Sequence, residues 1–71
     1  MDRLTLLKTR LRRYLEAEAV ILRGEEYQLD ARRLRRPDLS KVRQAISDLE
    51  AEIDMLEIRG GRVKQVVFLD D

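Results

Sequence analysis

The chain has 71 residues, no cysteine, no histidine, and 15 Lys/Arg against 14 Asp/Glu, for a net charge of +1. That length makes at most one small domain, burying about 60% of its unfolded surface. The missing residue types exclude a disulfide framework and the usual zinc sites. Domains this small commonly lean instead on oligomerisation or a partner.

Without His and Cys, the commonest general acid–base group and the most reactive nucleophile are absent. No cluster of Asp, Glu or Lys suggests a pocket, so the expectation is a protein that is not an enzyme, with no cofactor and no metal site. The near-neutral charge hides an asymmetry. Met1 to Arg36 holds ten cations against six anions, and Pro37 to Asp71 holds five against eight. A bipolar chain suits packing against charged neighbours or head-to-tail contact with its own copies. The N-terminal stretch is too charged for a signal peptide, and no apolar run approaches about 18 residues, so a soluble protein without a membrane segment is expected.

From about Asp2 to Arg23, Leu4, Leu7, Leu11, Leu15 and Leu22 recur at helical spacing, with Ala19 filling the last gap. Tyr14 and Ile21 widen this stripe, while Glu16 and Glu18 fall off it. Asp2 can cap the start and Gly24 is a natural stop. The pattern predicts an amphipathic helix of about six turns.

Between Glu25 and Arg36, Tyr27 and Leu29 alternate with Glu26 and Gln28, and Leu34 lies between Arg33 and Arg35. Asp30-Ala31-Arg32 supplies a polar break. A β-hairpin is expected, lying on the helices, because an isolated one is marginal. Pro37 and Asp38 then open a second helix, in which Leu39, Val42, Ile46, Leu49, Ile53 and Leu56 follow a 3-4-3-4-3 spacing. This seam could make a coiled-coil dimer, but the first helix offers a matching stripe, which favours an antiparallel helical pair. Asp48, Glu50, Glu52, Asp54 and Glu57 crowd the end of the second helix and oppose its dipole. Arg10, Arg12 and Arg13 of the first helix are expected to offset them.

Gly60-Gly61 breaks the second helix and frees a tail holding Val63, Val66, Val67, Phe68 and Leu69. The tail could fold back beside the hairpin. A contiguous apolar run fits burial on both sides better than a two-stranded sheet allows, and this favours completion by a partner. The expected fold is thus α+β and mainly helical: two antiparallel α-helices with a short hairpin between them, and an extended apolar C-terminal tail. Residues 1–59 form the domain and 60–71 a flexible arm.

Arg32, Arg33, Arg35 and Arg36 cluster on or beside the second hairpin strand. They could face phosphates, or simply form a solvated surface paired with the acidic second helix. Three aromatic residues are too few for a base-stacking platform.

The stretch YQLDARRLRRPDLSKVRQAISDLEAEIDML, Tyr27 to Leu56, resembles the W-type head–tail joining proteins of tailed bacteriophages. In that pattern an aromatic strand, a polar turn and a basic strand lead into a helix opening on Asp-Leu. The resemblance implies a structural head–tail connector of the virion, made in the host bacterial cytoplasm. Its implied partners are the portal protein, neighbouring copies in a ring (twelve from portal symmetry), the next connector or tail protein, and non-specific contact with packaged DNA. The family's functional C-terminal segment matches Arg62, Val63, Val66, Val67, Phe68 and Leu69 here. Arg32, Arg33, Arg35 and Arg36 would face DNA or the next subunit. Two rivals remain: a small DNA-binding regulator using the arginine-rich hairpin and second helix, and a small adaptor or antitoxin-like protein folding its tail onto a partner.

Overall fold

A computed structural model describes residues 2–59. The order is α1 (Arg3–Leu22), β1 (Tyr27–Leu29), β2 (Arg32–Leu34), a 3-10 turn (Arg36–Asp38) and α2 (Leu39–Arg59). The helix–hairpin–helix expectation holds. The apolar arm, including Arg62, Val63, Val66, Val67, Phe68 and Leu69, lies outside the described residues.

Local chemistry explains each boundary. Asp2 caps α1: its carboxylate accepts the Thr5 amide hydrogen at 2.9 Å, and hydrogen bonding to Thr5 holds its pKa below the ordinary value. At the other end Gly24 adopts φ +85°. Its amide donates to the Ile21 carbonyl at 2.9 Å, and the Glu25 amide donates to Val20 at 3.2 Å. These two bonds form a Schellman motif, which satisfies carbonyls the last turn leaves open.

The strands pair antiparallel, with Tyr27 opposite Leu34 and Leu29 opposite Arg32. Asp30-Ala31 is therefore the turn, and Arg32 belongs to β2 instead of the break. Asp30 takes φ +55°, a conformation that Asp tolerates better than most residues. Before α2, the Arg35 amide donates to the Asp38 carboxylate at 2.9 Å, and the Asp38 amide donates back to the Arg35 carbonyl at 2.8 Å. Pro37 thus sits one step inside the first turn, where no intrahelical donor is needed.

The helices pack antiparallel, as two clusters show. Leu4, Leu7 and Leu11 of α1 meet Leu49, Ile53 and Leu56 of α2 at one end. Ala17 and Ile21 meet Leu39, Val42 and Ile46 at the other, where Tyr27, Leu29 and Leu34 of the hairpin close the core. Tyr14 joins both clusters. The α2 seam is therefore buried within the chain, as the antiparallel pairing anticipates.

The α1 stripe departs from expectation. Ala17 and Ile21 are fully buried, whereas Leu15 is 43% exposed and Leu22 48% exposed. Ala19 is exposed as well. The reason is geometric: Leu11, Leu15 and Ala19 advance by fours, and each such step rotates about 40° from the seam at 100° per residue. Packing against the 3-4 spacing of α2 selects Leu4, Leu7, Leu11, Tyr14, Ala17 and Ile21 instead. Glu18, beside the buried Ala17, is half-buried, with its carboxylate 2.8 Å from the Arg43 guanidinium.

Candidate functional site

The hairpin distributes its arginines by register. Side chains alternate across a strand, and directly opposed residues share a face. Tyr27, Leu29 and Leu34 point to the core, so Arg32, opposite Leu29, lies on that side at the exposed turn end. Arg33, opposite Gln28, faces outward. Glu26 lies 3.6 Å from Arg33 and 3.9 Å from Arg35. Arg36 stands apart in the 3-10 turn. The structure therefore brings Arg33 and Arg35 together around one carboxylate and separates both from Arg32. No single surface gathers all four.

The acidic end of α2 meets cations other than those expected. Arg3 pairs with Glu52, and Lys8 with Glu57 at 3.0 Å. The antiparallel arrangement sets the first turns of α1 beside the last turns of α2; Arg10 and Arg13 share a cleft with Asp48, but neither lies within ion-pair distance of an α2 carboxylate among the described residues. Arg13 instead contacts Asp30 of the hairpin turn at 3.3 Å. Arg12 is exposed. All these pairs are solvent-exposed, so each contributes about 0–1 kcal/mol. They fix register more than they add stability.

The hairpin is tied to α1 by its aromatic residue. The Tyr27 hydroxyl donates to Glu16 at 2.9 Å. This bond to a carboxylate, with burial second, raises the Tyr27 pKa above its ordinary value.

Two surface features emerge that sequence reasoning missed. A cleft of about 590 Å³ lies between α1, the hairpin tip and α2. It is lined by apolar Leu6, Tyr14, Leu29, Ala45 and Leu49 and by charged Arg10, Arg13, Asp30 and Asp48. On the other flank of the α1 seam, Leu15, Ala19 and Leu22 form an exposed apolar strip at helical spacing. The 3-4 spacing of Leu4, Leu7, Leu11, Tyr14 and Ile21 was the signal that sets this strip apart from the core. Among the described residues, no group of three or more carboxylates could hold a metal ion, and no helix is long and apolar enough to cross a membrane.

A family of unknown function (DUF6148) matches the chain over residues 1–71, and the chain belongs to that family. Searches of the curated proteins and of the solved structures each found no match.

Proposed function

We propose that this member of DUF6148 is a structural connector subunit. In this reading it binds the portal of a tailed phage or prophage-derived particle and forms the platform for the next connector or tail protein. One observation carries the reading: the strip of Leu15, Ala19 and Leu22 that the chain's own core leaves in solvent. A 71-residue chain has little apolar surface to spare, and a contiguous exposed strip marks a contact with another chain. Support also comes from the helix–hairpin–helix order, which is the order the W-type resemblance implies. Copies contacting head to tail would close into a ring where the rotation permits. The cationic first half and anionic second half of the sequence suit such contacts.

The DNA-binding alternative gains no comparable support. The hairpin arginines lie on two faces, and two of them share Glu26. The test is the double substitution Leu15→Glu with Leu22→Glu. Both sites are exposed, so helical circular dichroism and thermal stability should change little. Co-sedimentation with portal rings from the same genome should be lost. A folded double variant that co-sediments as well as the parent would remove the basis for this reading.

A further inference from the structure

Five large hydrophobic side chains stand exposed among the described residues: Leu6, Leu15, Leu22, Met55 and Ile58. Leu6 lines the cleft. The other four fall on two strips of the same spacing. On α1, Leu15, Ala19 and Leu22 follow a 4-3 step. On α2, Ala51, Met55 and Ile58 follow the same step, and all three are exposed, Ile58 at 70%. Single exposed leucines are ordinary, whereas contiguous strips mark contacts.

The two strips point in different directions. The α2 strip lies about half a turn from the buried Leu49 and Ile53, at 100° per residue, on the back of that helix. The α1 strip lies roughly 100° round from Leu7, Tyr14 and Ile21, on a flank of the seam.

Their shapes are complementary. Each covers about 10 Å of helix, at 1.5 Å per residue. The α1 row runs large, small, large, with Ala19 leaving a gap between two leucines. The α2 row puts Met55 at its centre, and an unbranched Met fills such a gap well. With Met55 seated over Ala19, one leucine covers Ala51 and the other meets Ile58, whichever way the helices run.

Charge completes the match. Around the α1 strip, Lys8 pairs with Glu57, Arg23 with Glu25 and Glu18 with Arg43, while Glu16 accepts the Tyr27 hydroxyl. Arg12, three residues before Leu15, has no carboxylate within ion-pair distance among the described residues. Beside the α2 strip, Asp48 accepts the Gln44 amide at 3.0 Å. Neither Asp48 nor Asp54 has a cation within ion-pair distance among the described residues. The charge left uncompensated is positive at one strip and negative at the other. A net charge of +1 leaves little general repulsion between copies.

From this match we infer that the Leu15, Ala19 and Leu22 strip of one copy docks on the Ala51, Met55 and Ile58 strip of the next. Unlike surfaces meet, so each copy keeps one strip for a further copy and association runs head to tail. This contact takes from the connector reading only that the α1 strip meets another chain, and names that chain as a second copy.

Sedimentation of the full-length chain, up to millimolar concentration, should show association that continues past the dimer. Leu15→Glu with Leu22→Glu should weaken it at least about tenfold, and so should Met55→Gln with Ile58→Gln. Glutamine is a good helix former, so helical circular dichroism should be unchanged. An equimolar mixture of the two double variants should regain the parent's affinity but form a dimer and nothing larger, since one intact strip of each kind remains. A monomeric parent would overturn the inference, as would a parent that stops at a dimer. Variants that associate like the parent, or a mixture that gains nothing over its components, would do the same. Portal co-sedimentation separates the two readings. Its loss in Leu15→Glu with Leu22→Glu, beside a monomeric parent, keeps the connector reading and removes this contact. Strip-dependent association with portal binding untouched removes the connector reading alone.

Discussion

Ile21 and Leu22 are adjacent in sequence and opposite in environment: Ile21 is completely buried, and Leu22 is 48% exposed. One peptide bond separates a core residue from a surface one because a single helical step turns the side chain by about 100°. Ile21 enters the cluster with Ala17, Leu34 and Val42.

This contrast gives a direct test of the seam. Ile21→Ala should destabilise the domain by about 2–5 kcal/mol, through lost transfer energy and the cavity left behind. That is enough to unfold much of a domain whose total stability is on the order of 5 kcal/mol. Leu22→Ala should change stability by no more than about 0.5 kcal/mol. Urea denaturation of the two variants measures the difference. Equal losses would mean that the α1 face is wrongly assigned.

The stop of α1 depends on backbone conformation alone. Gly24 has φ +85°, and a Cβ placed there meets open space. Gly24→Ala should therefore cost about 1–2 kcal/mol from left-handed strain with no steric clash. For a domain of this size each kcal/mol lowers Tm by roughly 4–8 °C. Gly24→Asn should lose less, since Asn tolerates this region. Thermal melts of the three proteins should rank them Gly, Asn, Ala.

The Tyr27–Glu16 bond predicts a pH signature. Because folding raises the Tyr27 pKa, the protonated phenol is favoured in the folded state. Its contribution is complete below the unfolded value near 10 and disappears as pH rises through the folded value. Tyr27→Phe should therefore be less stable than the parent at pH 8, and the gap should close in the alkaline range above pH 10. Chemical denaturation at both pH values reports it. A gap independent of pH would show that the hydroxyl does not make this bond.

Much of the fold was legible because its signals are local. Asp2, Gly24 and the Pro37-Asp38 pair act through backbone groups within a few residues, so helix limits could be read within a residue or two. The α2 seam was legible because its 3-4 spacing admits only one face. The candidate surfaces were less so. Arg32, Arg33, Arg35 and Arg36 form one cluster in sequence, but strand register divides them.

By itself, then, the amino-acid order determined the elements, their sequence, their caps and the buried face of α2, all set by spacing and short-range hydrogen bonding. The tertiary structure decided what depends on a second element. α1 carries apolar residues around more than half its circumference, so no face of it is inward until α2 packs against one. That choice buried Ile21 and left Leu15 and Leu22 in solvent. Antiparallel packing likewise decided that Arg3 and Lys8, instead of Arg10, Arg12 and Arg13, meet the acidic end of α2. Ion pairs follow proximity in space, and chain spacing along one helix does not encode which turn of another it will face.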